Sequence, residues 1–257
     1  MSQRDSQTIS ILTFHSISNG GGPTNIPVDT FKMQVETIAE LGIDVIGLDD
    51  VDQWLNGNRE ITHPSIVITF DDAFEDFSET AFPVLDRFGY RACVFAPTNL
   101  VGGFEDWAPE NASKRKLMDW MTVKALSERG VDFGSHSRSH CKLTALSEED
   151  LEAELSGSRE ELESRLSRKT CYFAPPYGDS DKRVLAAISR HYDLSVGVRL
   201  NEARQSSPRF DLPRIEMHYY RNESNWRMFL KRKGRVYFNL RRVLREAKSA
   251  VESIMPS

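Results

Sequence analysis

Two short stretches of this 257-residue chain carry side chains able to do chemistry together. GSHSRSH sets His136 and His140 four residues apart, separated only by small polar residues and Arg138. In a helical turn that spacing brings both imidazoles to one side, where they could share a metal ion. ITFDD places Asp71 and Asp72 at the end of an apolar run. Two adjacent ionised carboxylates are costly to bury without a cation. One resolution is that one of them binds a metal while the other stays unbound nearby as a base. Two histidines and an aspartate with open positions suit Zn²⁺ or another divalent transition metal in a catalytic site. Each stretch alone also has an ordinary reading: a solvated i,i+4 histidine pair, or a helix N-cap beside an exposed acid.

The surrounding sequence must bring these stretches together. Short β-rich runs recur at 9–14, 44–48, 66–70, 91–96, 131–134, 171–174, 194–198 and 212–218, several of them continuously apolar, as strands buried on both faces are. Helical spacing lies between them, at 30–41, 78–88 and 122–129. A further helix starts from an N-cap at Ser147, with Glu148, Glu149 and Asp150 in its first turn and Leu151, Leu155, Leu162 and Leu166 as its stripe. Alternating strands and helices predict a parallel sheet, and about eight strands in this length fit a single closed α/β barrel. The reactive groups then fall into a positional pattern. His15, Asp71, Asp72, His136, His140, the Pro175–Pro176–Tyr177 turn and His218 all follow or end a strand, whereas His63 and His191 do not. Strand C-terminal ends share one face of such a barrel, and active sites are built there. The 99–116 segment reads as a long loop, a feature often tied to function.

Composition narrows the alternatives. With 39% hydrophobic and 28% charged residues the chain can build a core, and no apolar run approaches a membrane span. Three widely spaced cysteines form neither a disulfide framework nor a CxxC zinc motif, which fits a reducing compartment. A net charge of −5 argues against general nucleic-acid binding. The start has no long apolar segment followed by a cleavage site, so the expectation is cytoplasmic. Charge is uneven, however: residues 227–248 hold nine lysines and arginines against Glu246 alone. Val236, Leu240, Val243, Leu244, Ala247, Val251 and Ile254 recur there at helical spacing. The expected organisation is a barrel over 1–222 and a basic amphipathic helical extension over 223–257. That extension either packs on its own domain or contacts an anionic membrane face or a partner, which would make the protein peripheral to the inner membrane.

TFDD (69–72), HSRSH (136–140) and APPYG (174–178), in this order, resemble the first three motifs of the polysaccharide deacetylases, which share the chitooligosaccharide deacetylase homology domain. ILTFHSI, GVDFGSHSRSHCKLTALS and CYFAPPYG are similar to the bacterial exopolysaccharide-modifying branch, and the resemblance spans roughly residues 9–220. It implies a distorted parallel (β/α) barrel of seven or eight strands that hydrolyses N-acetyl groups of an amino-sugar glycan. It also implies a divalent ion, with zinc first and cobalt, nickel or iron as alternatives. By position it makes Asp72, His136 and His140 the metal ligands and Asp71 the base for water. The Tyr177 backbone N–H becomes an oxyanion donor, and His218 becomes the acid for the leaving amine. His15, Pro176, Tyr177 and Trp107 are expected along the substrate.

Three positions depart from the family pattern. Ala174 stands where the family has an arginine that orients the base, and Arg214 is the candidate replacement from another strand. The family's fourth motif, an Asp followed closely by Trp, is not found near 191–199. Ala73 replaces a glycine, which a helical turn would tolerate. Two rival readings share the resemblance: a metal- or sugar-binding pseudoenzyme, and a deacetylase of an O-acetyl ester or a non-carbohydrate amide. Ser137 and Ser139 are expected to form turns, since no GxSxG elbow is present. Cys141 is expected as a small packed residue, and Trp120 as a packing residue.

Overall fold

Every strand of the main sheet runs parallel to its neighbours, in the order β1, β10, β9, β8, β7, β6, β5, β4, and β1 also pairs with β5 to close the ring. The structure, a computed structural model, describes residues 7–21, 24–109, 112–233 and 235–254. The strands are β1 (Ser10–Phe14), β4 (Asp44–Val45), β5 (Ser65–Phe70), β6 (Cys93–Ala96), β7 (Asp132–Ser135), β8 (Tyr172–Phe173), β9 (Leu194–Leu200) and β10 (Leu212–Glu216), with a separate two-stranded pair, β2 (Ser16–Ile17) and β3 (Asn25–Ile26). Seven strands form the barrel. β4 sits outside it, taking Ser65 and Ile66 on the β5 edge whose other end, Thr69 and Phe70, pairs with β6. That shared edge distorts the barrel.

Strand pleating explains how a chain this apolar still delivers polar groups to one place. Leu12 and Phe14 of β1, and Ile66, Ile68 and Phe70 of β5, enter the core beneath the helices. Their alternates Ile11 and Val67 join a second cluster with Cys93, Phe95, Leu194, Val196 and Leu212. Along three neighbouring strands that second face changes from apolar to polar toward the C-terminal end: Ile11, Thr13, His15; Val67, Thr69, Asp71; Leu212, Arg214, Glu216. The apolar end packs, and the polar end forms the site.

The helices are α1 (Val28–Glu40), α2 (Leu48–Leu55), α3 (Phe82–Arg87), α4 (Trp120–Glu128), α5 (Glu148–Leu166), α6 (Lys182–His191), α7 (Glu223–Leu230) and α8 (Arg235–Ile254). The Ser147 hydroxyl caps α5 by accepting from Asp150 N–H at 3.1 Å. The 44–48 run is a strand for two residues only. Leu48 instead opens α2, because the Asp50 carboxylate accepts from Gly47 N–H and caps a helix there. The segment after residue 222 makes contact with the barrel core. Trp226 and Leu230 of α7 are buried in the main core, and the Trp226 indole donates to Gln34 O on α1 at 3.0 Å. Phe238 of α8 joins the same core, so both C-terminal helices pack on the barrel through part of their surface.

Candidate active site

Asp71, at the end of β5, is buried and held by a fork of two 2.7 Å hydrogen bonds from the Arg214 guanidinium on β10. The same guanidinium donates to Gly197 O at 2.8 Å and to the Thr69 hydroxyl at 3.2 Å, so its plane is fixed from three directions. Burial pushes the Asp71 carboxyl up, but the charge and hydrogen bonds of Arg214 outweigh it and hold the group below the usual carboxylate range. His15 Nε2 lies 3.9 Å from Asp71.

Asp72 turns the other way. Its φ of 73° and the 56° of Ala73 put both residues in the left-handed region. This is not the helical turn expected at Ala73, and two adjacent non-glycine residues there are strained. The twist separates two carboxylates that adjoin in sequence. The Asp72 oxygen lies 3.4 Å from His136 Nε2 and 3.2 Å from His140 Nε2. Burial opposes the Asp72 charge, yet the hydrogen bonds from the two imidazoles hold its carboxyl far below the ordinary range. His136 Nδ1 lies 2.6 Å from Ala174 O, which can only accept, so Nδ1 donates there and Nε2 is the nitrogen that faces Asp72.

The two histidines do not share a helical turn. Ser137 (φ 61°) and His140 (φ 56°) are both left-handed, and the segment is a loop. It is tied down by Glu154 of α5, whose carboxylate accepts from Arg138 N–H at 2.8 Å, Ser139 N–H at 3.0 Å and the Ser139 hydroxyl at 2.8 Å. The Ser137 hydroxyl in turn accepts from His140 N–H at 3.1 Å. Both serines therefore shape the turn. Gly157 makes room for this loop against α5, since a Cβ there would come within 2.8 Å of the Arg138 side chain.

These groups face a cavity of about 250 Å³ whose wall includes His15, Trp107, Pro175, Tyr177, Arg214, Glu216 and Arg245. Trp107 lies flat on the His140 ring, with centroids 3.6 Å apart, and Tyr177 meets the same ring edge-on at 4.7 Å. The loop carrying Trp107 is braced by the buried Glu105, which pairs with Arg115 at 2.8 Å. Pro176 is buried in the turn Pro176–Gly178, beside the wall rather than in it. His218 is also absent from the wall. β10 stops at Glu216, and a short helical turn over Met217–Tyr220 breaks the alternation that would have carried the inward face to residue 218. Cys141 is half-buried, all three cysteines are free, and Trp120 packs against the main core.

Sequence reasoning missed Glu154, Glu216 and Arg245. Glu154 had a signal, since it adjoins Leu155 in the stripe that α5 buries. Glu216 continues the inward alternation of β10. Arg245 had none, because only the course of α8 brings it to the cavity.

The Asp72, His136 and His140 ligand atoms all lie within 4.8 Å of one another. Bonds of roughly 2.0–2.1 Å to a tetrahedral ion would separate neighbouring ligand atoms by roughly 3.4 Å. The two Asp72 distances match that edge, so the residues fit a divalent ion.

The sequence profile of the family described as polysaccharide deacetylase matches residues 58–193, just over half the chain. The chain belongs to the polysaccharide deacetylase family. It is 22% identical over 208 residues to YxkH of Bacillus subtilis (strain 168), a protein provisionally described as a polysaccharide deacetylase, covering 80% of this chain and 70% of that one. Among solved structures, the Streptococcus pyogenes deacetylase PplD, solved with acetate, superposes with a TM-score of 0.71 at 23% identity, covering 82% of this chain and 92% of that one. IcaB of Ammonifex degensii gives a TM-score of 0.72 at 16% identity, covering 90% and 98%. At these identities the superpositions establish the deacetylase (β/α) barrel as the fold of this polysaccharide deacetylase family member.

Proposed function

We propose that this deacetylase-family protein hydrolyses the N-acetyl group of an amino sugar in a poly- or oligosaccharide, with a divalent metal held by Asp72, His136 and His140. The observation that carries this reading is the division of labour between adjacent carboxylates. Asp72 points at two imidazole nitrogens, while Asp71 faces away onto Arg214. A divalent ion in the first seat supplies a Lewis acid that polarises the acetyl carbonyl and acidifies water. The chain's residues do the rest. Asp71 takes the proton of the attacking water. Arg214 keeps that carboxylate ionised and aimed. The Tyr177 N–H, set by the left-handed turn at φ 60°, donates to the developing oxyanion. Trp107 and the half-exposed Tyr177 ring wall the cavity and hold the sugar. The acetate found with PplD is the acid this reaction releases.

We assign the proton for the leaving nitrogen to His15. It lines the cavity beside Asp71, and His218 does not. His15→Ala is expected to lower turnover by roughly 10²-fold, while His218→Ala leaves it unchanged. The reverse pattern would return the role to His218.

The central test is acetate release from short N-acetylglucosamine oligomers. Activity should vanish on chelation and return with Zn²⁺ or Co²⁺; chelator-resistant turnover would reject the metal. Metal affinity should also fall as pH is lowered. Burial opposes protonation of His136, but the Asp72 hydrogen bond and the Asp71 and Asp72 charges raise its pKa above the ordinary imidazole value. A proton therefore competes for the ligand nitrogen from a higher pH than usual, and binding weakens as pH drops through that point. Calorimetric titration with Zn²⁺ across neutral pH measures it.

A further inference from the structure

The C-terminal helix is turned the opposite way from an ordinary surface helix. Of nine exposed large apolar side chains among the described residues, four lie within 236–244 of α8: Val236, Leu240, Val243 and Leu244, each more than half exposed. They form one stripe at i, i+4, i+7 and i+8. The side against the barrel is aromatic and cationic instead. Phe238 is buried against Phe229, the Tyr237 hydroxyl donates to Tyr219 O at 2.7 Å, and Arg241 lies over the Tyr219 and Tyr237 rings. The sequence continues the apolar spacing through Ala247, Val251 and Ile254, whose side chains lie outside the described residues.

Charge indicates what covers this stripe. The stretch is strongly basic in a chain whose total is −5, and Lys231 and Lys233 are exposed at its start. A second copy docking through the same stripe would set one basic helix against another, since a two-fold interface pairs like with like. Anionic phospholipid headgroups complement the cations while the acyl boundary takes the valines and leucines. Arg245, on the inner side of the same helix, lines the catalytic cavity, so α8 borders its mouth. We propose that α8 is a peripheral docking element for an anionic phospholipid surface and that it brings the rim of the catalytic cavity to the bilayer interface.

The test is co-sedimentation of the full chain with vesicles of phosphatidylcholine alone and of phosphatidylcholine mixed with phosphatidylglycerol. The bound fraction should be roughly tenfold or more higher on the anionic vesicles and should fall with added salt. Leu240→Ser/Leu244→Ser should lose binding while retaining the thermal midpoint and the turnover of a short soluble substrate. Lys231→Glu/Lys233→Glu should lose the preference for anionic lipid. Equal weak binding to both vesicles overturns the proposal, as does full binding by the double serine variant. A wild-type dimer that the serine variant dissolves, with no lipid preference, would instead place a second copy on the stripe.

Discussion

Asp71→Asn is expected to lower acetate release by roughly 10²–10⁴-fold while leaving the metal in place. The amide keeps the carboxylate's shape but cannot accept the water proton. The atoms proposed as ligands belong to Asp72, His136 and His140, so the substitution leaves that candidate seat untouched. Metal content by elemental analysis, measured beside kcat, separates the two roles. Asp72→Asn should lose the ion and the activity together. An Asp71→Asn enzyme that turned over like wild type, or that purified without metal under conditions where wild type holds it, would undo the assignment.

Arg214→Ala should cost about 3–5 kcal/mol in chemical denaturation, because it leaves a buried carboxylate without its cation. Both partners are nearly inaccessible, and the fork is bidentate, so solvent cannot replace it. The pH dependence fixes the sign. In the wild type the Asp71 carboxyl is held down. Its stabilising contribution is therefore complete above the ordinary carboxylate pKa and is lost as pH falls through the lowered value. In the variant burial is opposed only by the charges of His136 and His15, so the carboxyl rises and its penalty is present at neutral pH. The gap between the two proteins should narrow as pH is lowered, and the acid limb of the variant's pH–rate profile should move to higher pH. Arg214→Lys should recover part of the stability but not the alignment, since a lysine offers a point charge and no fork. An alanine variant as stable and as active as wild type would remove Arg214 from the site.

The comparison of sequence and structure separates what periodicity carries from what it does not. All eight main strands were legible, because continuous apolar runs such as ISILTF and IVITF have few other uses in a chain of this composition. Arg214 was legible as a group brought near Asp71, which it meets in the fork, since its strand ends on the correct face. His218 lies outside the cavity wall for a local reason: alternation points it inward only while the strand lasts, and the strand ends at Glu216. The helical turn considered for His136 and His140 does not form because the Ser137 hydroxyl and the Glu154 carboxylate offer the backbone partners that a helix would otherwise provide. Helices α2 and α6 were not anticipated, although Asp181 caps the second through Val184 N–H, and the expected helical extension begins with α7, capped by Asn222 through Asn225 N–H. The direction of the α8 stripe could not be read from spacing, which gives the relative placement of residues but not the side that meets the body.

One consequence of the ring closure concerns when this protein becomes competent. Arg214 reaches Asp71 across β1, the strand that sits between β5 and β10. Asp71 is thus oriented by a residue from the last barrel strand to be synthesised, over the first. A nascent chain emerging from the ribosome holds Asp71 long before it holds its guanidinium, and no chain that stops short of β10 can assemble the pair. Hydrolysis would then report, during refolding, the final zipping of the circle rather than collapse of the core.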